Sequence, residues 1–175
     1  MTYGYGVNMT PLQILTFYNA IANQGEVVKP KFIHSTRKFG TNDNKIYPKQ
    51  ILNKSIFSKN TNKILQKMLY DVVHHENGTA KNIKSKHLKL SGKTGTTQVD
   101  YVKDTINYIS SFVGYFPSDE PKYSCIIVIN KPNKTKGYYG NTVAAPVFKR
   151  IAEKIFSKYP KAVSYTHLTL PTKNE

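Results

Sequence analysis

Three consecutive runs of strand-forming residues constrain the fold of this chain more than any other feature of its sequence. The runs cover residues 89–98, 107–116 and 123–130, and each contains β-branched or aromatic residues. Loops join them, and the second loop is the turn-rich segment of residues 117–121. Strands connected in this way usually pair as an antiparallel meander. We therefore predict that the three runs form adjacent antiparallel strands.

Amphipathic segments before and after these runs are predicted to be helices. The first helix begins at Thr10, whose capping-box partner is Gln13, and ends at Gly25. Apolar residues three or four positions apart predict a second helix over residues 59–75 and a final helix over residues 144–157. We expect the final helix to pack across one face of the sheet, because its apolar stripe must be buried.

The length of the chain, 175 residues, allows one hydrophobic core but is short for an enzyme of two domains. We therefore expect one domain or a piece of one. Between the first two helices, residues 27–33 are predicted to be extended and residues 35–44 to be a polar, turn-rich loop. The single cysteine, Cys125, excludes an intrachain disulfide and is expected to be a small buried side chain in an apolar run.

The chain is strongly basic, with 26 lysine and arginine residues against 10 acidic residues and a formal net charge of +16. Such a charge favours anionic surroundings such as nucleic acid, a membrane surface or wall polymer. The charges are dispersed, however, and Lys59, Lys63 and Lys67 follow a helical spacing opposite an apolar face. No arginine-rich tract or zinc-finger spacing accompanies them, so we do not expect nucleic-acid binding.

The first predicted strand contains Lys93-Thr94-Gly95-Thr96, in which a cation and hydroxyl groups surround a glycine. Lysine supplies a point charge, and threonine hydroxyls can donate hydrogen bonds to a carboxylate. Glycine lets another chain approach the backbone closely. These residues therefore predict a carboxylate-binding strand edge with room for the backbone of a substrate.

Segments on both sides of this strand form a pattern with it. They are Gly4-Tyr5-Gly6, Thr10-Pro11-Leu12-Gln13, Asn77-Gly78-Thr79-Ala80, Ser111-Phe112-Val113-Gly114-Tyr115-Phe116-Pro117, Tyr123-Ser124-Cys125-Ile126-Ile127-Val128 and Tyr139-Gly140-Asn141-Thr142-Val143-Ala144-Ala145-Pro146-Val147-Phe148. In this order and spacing the chain resembles the C-terminal portion of the transpeptidase domain of class B penicillin-binding proteins, the division or elongation type. The resemblance implies an α+β fold, with an antiparallel sheet flanked by helices as in part of the serine β-lactamase-like transpeptidase fold. It also implies cross-linking of peptidoglycan stem peptides through an acyl-serine intermediate.

The same resemblance implies roles for five residues of the first strand. Lys93 would organise the proton network and the electrostatics of the site. The hydroxyls of Thr94 and Thr96 would hold the carboxylate of the substrate or of a β-lactam, and the Thr96 N–H would form half of the oxyanion hole. Gly95 would keep the strand edge open, and Gln98 would flank the groove for the acyl peptide.

Acyl transfer also needs a nucleophile and a base, which this family supplies from a Ser-x-x-Lys helix start and a Ser-x-Asn loop. Two segments of this sequence match these motifs in form, but we reject both. Ser35-Thr36-Arg37-Lys38 lies in the predicted polar loop, and Ser58-Lys59-Asn60 is better explained by Ser58 acting as a helix N-cap. We therefore expect no nucleophile in this chain, and we predict that the missing motifs precede residue 1 and that the chain alone is inactive.

The resemblance also implies the partners and the location of the parent protein. Expected partners are the peptidoglycan stem peptide, β-lactam antibiotics as inhibitors, the remainder of the transpeptidase domain, and division or elongation proteins.

Neither a metal nor an organic cofactor is expected, and the five histidines contain no pair at the spacing of a helical zinc site. The parent is expected to be anchored in the bacterial cytoplasmic membrane with this domain on the periplasmic side. This sequence contains neither an apolar run long enough to span a membrane nor a signal-peptide pattern.

Two other functions are compatible with these residues. A β-lactamase or D,D-carboxypeptidase fragment would use the same Lys-Thr-Gly strand. A non-catalytic basic module that binds an anionic polymer would instead gather its lysines on one face.

The end of the chain departs from this pattern. Residues 163–175 follow the final predicted helix without a periodic continuation, and they resemble the translation of a transposase adapter used in sequencing libraries. We therefore divide the chain into a transpeptidase portion over residues 1–162 and a non-native tail over residues 163–175.

Overall fold

The computed structural model describes residues 7–41, 43–99 and 106–159. Its helices and antiparallel strands form separate groups along the chain, as in an α+β fold. The helices are α1 (Pro11–Ala22), α2 (Lys59–His74), α3 (Gly140–Val143) and α4 (Ala145–Lys158). The strands are β1 (Val27–Val28), β2 (Ser35–Arg37), β3 (Asn44–Ile46), β4 (Ile51–Asn53), β5 (Ser91–Val99), β6 (Asn107–Phe116) and β7 (Tyr123–Asn130).

The central sheet has the order β5-β6-β7, and both of its pairs are antiparallel. The meander predicted from the sequence is therefore confirmed, and the bounds of β6 and β7 are those predicted. The strand β5 begins at Ser91, two residues later than predicted. The carbonyl of Lys89 instead accepts a hydrogen bond of 3.0 Å from the Ser118 N–H, in the turn between β6 and β7.

Local capping interactions set the ends of α1 and the start of α2. The Thr10 N–H donates to Gln13 Oε1 at 2.8 Å and the Gln13 N–H donates back to Thr10 Oγ1 at 3.3 Å, which confirms the capping box. After α1, Gly25 adopts a φ of +90° and its N–H donates to the carbonyl of Ala20 at 2.7 Å. Ser58 is the N-cap of α2, as predicted, and accepts a hydrogen bond of 3.0 Å from the backbone N–H three residues later.

Two apolar clusters cover the two faces of the sheet. On one face, Phe148 of α4 packs against Phe112 and Phe116 of β6, with ring centroids 4.8 and 5.6 Å apart, and all three side chains are fully buried. Side chains alternate along a strand, so Tyr115 points to the opposite face, where it packs with Ile21 of α1 and the helix α2. The predicted packing of the final helix across the sheet is confirmed.

The segment between α1 and α2 differs from the sequence prediction. Residues 35–44 are not a loop throughout, because β2 and β3 pair as an antiparallel hairpin with Ser35 opposite Ile46. Both strands are exposed on all sides, so they lack the alternation of buried apolar residues that would have revealed them. The predicted extended segment over residues 27–33 contributes only β1 to a ladder, since Pro30 has no N–H to donate.

Two other regions bear on the predicted organisation. The predicted final helix corresponds to α4, which has Pro146 in its first turn, and the short α3 directly precedes it. The proposed tail over residues 163–175 lies outside the described residues, so its separation from the fold remains a prediction. None of the described helices is long and apolar enough to cross a membrane.

Candidate functional site

The Lys93-Thr94-Gly95-Thr96 run lies near the middle of β5, which is an edge strand of the described sheet. Lys93 and Thr96 are exposed, and Thr94 and Gly95 are half-buried. An edge strand turns alternate N–H and C=O groups away from its neighbour, here away from β6. The edge can therefore offer backbone hydrogen bonds to an extended ligand beside a lysine and two hydroxyls.

The Lys93 ammonium is held against its own strand. Its Nζ donates to the carbonyl oxygen of Thr94 at 2.9 Å and lies 3.4 Å from Thr94 Oγ1. Thr94 Oγ1 in turn lies 3.5 Å from Thr79 Oγ1, which belongs to the turn after α2. Gly78 allows this turn to pack closely, because a Cβ at Gly78 would lie 2.5 Å from the carbonyl oxygen of Val72. The structure thus adds Thr79 to the residues around Lys93, which the sequence motif on β5 does not reveal.

The Thr96 hydroxyl has a defined partner from the far end of the chain. The N–H of Gly140, at the start of α3, donates to Thr96 Oγ1 at 3.0 Å. Because this oxygen accepts a hydrogen bond from the protein, the hydroxyl proton must point elsewhere and is available to a ligand. A hydroxyl oriented in this way suits a carboxylate, which can only accept hydrogen bonds.

The approach of α3 to β5 depends on two glycines packed around Ser111 of β6. A Cβ at Gly140 would lie 2.4 Å from the carbonyl oxygen of Ser111 and 2.6 Å from that of Gly95. A Cβ at Gly95 would lie 2.5 Å from Ser111 Oγ. Both glycines are therefore needed for the packing that brings the Gly140 N–H to Thr96.

A cluster of tyrosine rings stands beside this contact. The ring of Tyr108, opposite Gln98 in the ladder, stacks on Tyr138 at 4.1 Å, and Tyr138 packs against Tyr139 at 4.4 Å. The hydroxyl of Ser110, which pairs with Thr96, donates to the carbonyl of Tyr138. The buried Ser110 hydroxyl therefore ties the tyrosine cluster to β6, directly opposite Thr96 in the ladder.

Lys93 and Thr79 also line an apolar groove of about 660 Å³. We call it the α1–α2 groove, since most of its lining comes from those helices. Its lining includes Phe17 and Met68, whose side chains are 43% and 60% exposed. Large apolar side chains gathered in an open groove beside a cation mark a surface that another segment of polypeptide can cover.

A comparison with protein families identifies the family of this chain. The model of the penicillin binding protein transpeptidase domain matches residues 1–153. The chain belongs to this family. The resemblance drawn from the sequence motifs is therefore confirmed.

Individual relatives agree with this placement. The chain is 34% identical over 158 residues to the peptidoglycan D,D-transpeptidase FtsI of Buchnera aphidicola subsp. Baizongia pistaciae, covering 89% of this chain and 26% of the relative. It is 31% identical over 158 residues to the stage V sporulation protein D of Bacillus subtilis, covering 85% and 23%. The chain thus spans about a quarter of the length of these curated relatives.

Solved structures share the fold. Penicillin-binding protein 3 of Mycobacterium tuberculosis, in complex with ampicillin, matches with a TM-score of 0.77 and 27% identity, covering 93% of this chain and 38% of that chain. The predicted fold, an antiparallel sheet flanked by helices as in part of a penicillin-binding protein transpeptidase domain, is therefore confirmed.

Within this transpeptidase portion, the five residues expected at the site all lie on β5, with Gln98 half-buried near its end. The two serines rejected as nucleophiles lie elsewhere. Ser35 is on the exposed strand β2, and Ser58 caps α2. Among the described residues, no group of three or more histidine, cysteine or acidic side chains is placed to hold a metal ion.

Proposed function

We propose that this chain is the C-terminal part of the transpeptidase domain of a peptidoglycan D,D-transpeptidase, which cross-links stem peptides through an acyl-serine intermediate. The observation that carries the proposal is the hydrogen bond from Gly140 to Thr96 beside Lys93. This bond orients the Thr96 hydroxyl toward a ligand at the strand edge, where it can donate to a carboxylate. Membership of the transpeptidase family, with a relative named a peptidoglycan D,D-transpeptidase, supports this assignment.

In the proposed reaction, the strand β5 binds the C-terminal carboxylate of the donor stem peptide. The hydroxyls of Thr94 and Thr96 donate to it, and the charge of Lys93 favours its approach. A carboxylate in such a position replaces water around Lys93 and fixes the peptide along the strand edge. This anchoring holds the scissile carbonyl in a single orientation for attack.

The covalent step needs a serine from the remainder of the domain. Its oxygen attacks the carbonyl carbon, its proton passes to a base, and negative charge develops on the carbonyl oxygen. The Thr96 N–H supplies one of the two donors that stabilise this oxyanion, and Lys93 favours the proton transfer electrostatically. The terminal residue of the donor then leaves as an amine, and the amine of a second stem peptide displaces the serine to form the cross-link.

The α1–α2 groove is proposed to be the seat of the remainder of the domain. A segment that covers Phe17 and Met68 would remove apolar surface from water, at about 25 cal/mol for each Å² buried. Because Lys93 and Thr79 are among the residues that line the groove, the same segment would place its side chains next to the ammonium. The nucleophilic serine is therefore expected on the segment that fills this groove.

We propose β-lactam antibiotics as inhibitors of the parent protein, since the Mycobacterium relative was solved with ampicillin. A β-lactam presents a carboxylate next to a reactive carbonyl, which matches the ligand described for Thr94 and Thr96. Substrate and inhibitor are met outside the cytoplasmic membrane, where we place this domain of a membrane-anchored parent. A role in division or elongation, and partner proteins of either process, are part of this proposal.

Labelling of the full-length parent with a fluorescent penicillin tests the proposal. We expect Lys93→Ala and Thr96→Val each to lower the acylation rate by about 10- to 1,000-fold, the range for losing one preorganised charge or donor. Thr96→Val retains the backbone N–H, so its loss should fall mainly on carboxylate anchoring. Thr97→Val is the matched control, because the next side chain along β5 points to the other face.

The control rate should stay within about twofold of wild type. The isolated chain of 175 residues should not be labelled, because we expect the nucleophile on the remainder of the domain. An equal loss in the Thr96 and Thr97 variants would contradict the assigned anchoring role. Labelling of the isolated chain that disappears in Ser35→Ala would instead show that this chain is a complete miniature enzyme.

A further inference from the structure

A basic arm projects between α1 and α2. It consists of residues 27–41 and 43–53, in which β1 pairs with β4 and β2 pairs with β3. Hydrogen bonds of 2.9 Å, from the Lys29 N–H to Gln50 and from the Tyr47 N–H to His34, continue the pairing between the two short ladders. Pro30 and Pro48 interrupt it, because proline has no N–H to donate.

The arm combines positive charge with exposed apolar side chains. Six of its residues are lysine or arginine and one is acidic. Phe39 is fully exposed and Phe32 is 89% exposed, and four further large apolar residues of the arm are also exposed: Ile33, Ile46, Ile51 and Leu52. A concentration of exposed apolar side chains on one element is characteristic of an interaction surface.

Two cavities meet on this arm. The lysine cleft, about 400 Å³ in volume, is lined by Lys29, Lys31, Lys49 and Lys122 together with polar residues such as Asn19, Tyr123 and Ser124. The apolar groove, also about 400 Å³, is lined by Phe32, Ile33, Tyr47 and Pro48. The cavities share Lys29, Pro30 and Lys31, so a ligand lying across these three residues contacts both.

The lysine cleft keeps an excess of positive charge. Lys49 pairs with Glu26, and Lys122 pairs with Glu120. The Lys31 ammonium donates to the carbonyl oxygen of Tyr47 at 2.7 Å. A carbonyl carries no formal charge, so this contact does not neutralise the ammonium. Such a cleft favours an anionic group, while the adjoining groove favours an apolar one.

We propose that the basic arm docks an extended acidic segment of a partner protein. The carboxylates of this segment enter the lysine cleft, and its apolar side chains enter the apolar groove. An extended peptide advances about 3.3 Å per residue and turns successive side chains to opposite sides, so a few residues suffice to reach both cavities. The arm is separate from β5, so this inference does not depend on the proposed transpeptidation.

Other occupants fit these features less well. A phosphate polymer supplies charge but no apolar side chains for Phe32 and Ile33. A second copy of this chain carries the same excess of positive charge and is repelled. A membrane surface requires the apolar residues at one end of the arm, whereas Phe39 and Leu52 lie at opposite ends of it.

Fluorescence anisotropy with the full-length protein tests the proposal. The probe is a labelled synthetic peptide of about 12 residues, in which glutamate and aspartate outnumber leucine and phenylalanine about two to one. We expect Lys29→Glu with Lys31→Glu, and separately Phe32→Ser with Ile33→Ser, to raise Kd at least about tenfold. The matched control, Lys59→Glu with Lys63→Glu on α2, makes the same charge change away from the arm and should alter Kd less than about threefold.

Polyglutamate of the same length and phosphatidylglycerol vesicles complete the test. We expect polyglutamate to bind at least about tenfold more weakly than the probe, because it leaves the apolar groove empty. Equal binding of polyglutamate, or no effect of the Phe32 and Ile33 changes, would overturn the proposal in favour of a general polyanion site. Vesicle binding that the arm variants abolish, without binding of the probe, would show a membrane surface instead. Circular dichroism melting of each variant verifies that the fold is retained.

Discussion

The packing of Gly95 and Gly140 around Ser111 predicts different behaviour for alanine at the two glycines. Both substitutions should lower the stability, but a second substitution at Ser111 should restore it only for Gly95→Ala. In Gly95→Ala the new Cβ meets Ser111 Oγ at 2.5 Å, whereas the Cβ of Ser111 is 3.9 Å away. In Gly140→Ala the new Cβ meets the carbonyl oxygens of Ser111 and Gly95 at 2.4 and 2.6 Å. The first clash is with a side-chain hydroxyl, and the second is with backbone.

The magnitudes follow from these contacts. Overpacking lowers the free energy of unfolding by about 1–3 kcal/mol. We expect a loss of about 1–2 kcal/mol for Gly95→Ala, because the Ser111 hydroxyl can rotate away from the new Cβ. Gly140→Ala should cost about 2–4 kcal/mol, because it adds the loss of the hydrogen bond to Thr96, itself about 0.5–1.5 kcal/mol. For a domain of 150–250 residues, about 2–4 °C of Tm corresponds to each kcal/mol, and the shift is smaller in a larger domain such as that of the full-length protein. The expected decreases are therefore at most about 8 °C for Gly95→Ala and about 16 °C for Gly140→Ala.

Differential scanning calorimetry of the full-length protein measures the Tm of each glycine variant, alone and combined with Ser111→Ala. Ser111→Ala removes the clashing hydroxyl, so the Gly95→Ala double variant should regain most of its lost Tm. The Gly140→Ala double variant should regain almost none, because the Ser111 carbonyl remains. Equal recovery in both double variants, or an unchanged Tm in Gly140→Ala, would refute the packing described here.

Three further predictions concern single residues. Ser58→Ala removes the N-cap of α2 and should cost about 1 kcal/mol in thermal stability; the penicillin acylation rate should not change, whereas a large loss of rate would restore Ser58 as a catalytic serine. Burial raises the pKa of the Cys125 thiol, so Ellman's reagent should modify the native protein at pH 8 about tenfold or more slowly than the unfolded chain. Burial, aided by nearby lysines, lowers the pKa of His74, so protonation favours the unfolded chain. The Tm should therefore fall as pH drops below about 6.5; His74→Gln should reduce this fall and His75→Gln should not.

The parts of the fold that depend on neighbouring residues could be predicted from the sequence. The cap of α1 joins Thr10 to Gln13, only three residues apart, so both partners are read together. The strands β6 and β7 were predicted to the residue, because the turn-rich segment of residues 117–121 separates two apolar runs. The exposed hairpin of β2 and β3 was missed, since no buried face imposes a period of two on its residues.

The candidate site was predictable only in part, for a related reason. Lys93 and its neighbours on β5 form a motif within a single strand. The contact between Thr96 and Gly140 joins residues 44 positions apart, and it depends on how α3 packs on the sheet. A glycine at position 140 is compatible with many local structures, so the sequence contains no local signal that Gly140 contacts Thr96. The position of Thr79 against Thr94 likewise becomes apparent only when the turn after α2 packs beside β5.

Under the proposed function, the bond between Gly140 and Thr96 also bears on how antibiotic resistance could arise. A substitution near α3 that shifts Gly140 would reorient the Thr96 hydroxyl without replacing any residue of the proposed drug site. Exposure to β-lactams would then select changes in residues 138–143 as well as on β5. In the same proposal the natural substrate uses this hydroxyl, so the viable changes are those that retain the cross-linking rate while slowing acylation by the drug.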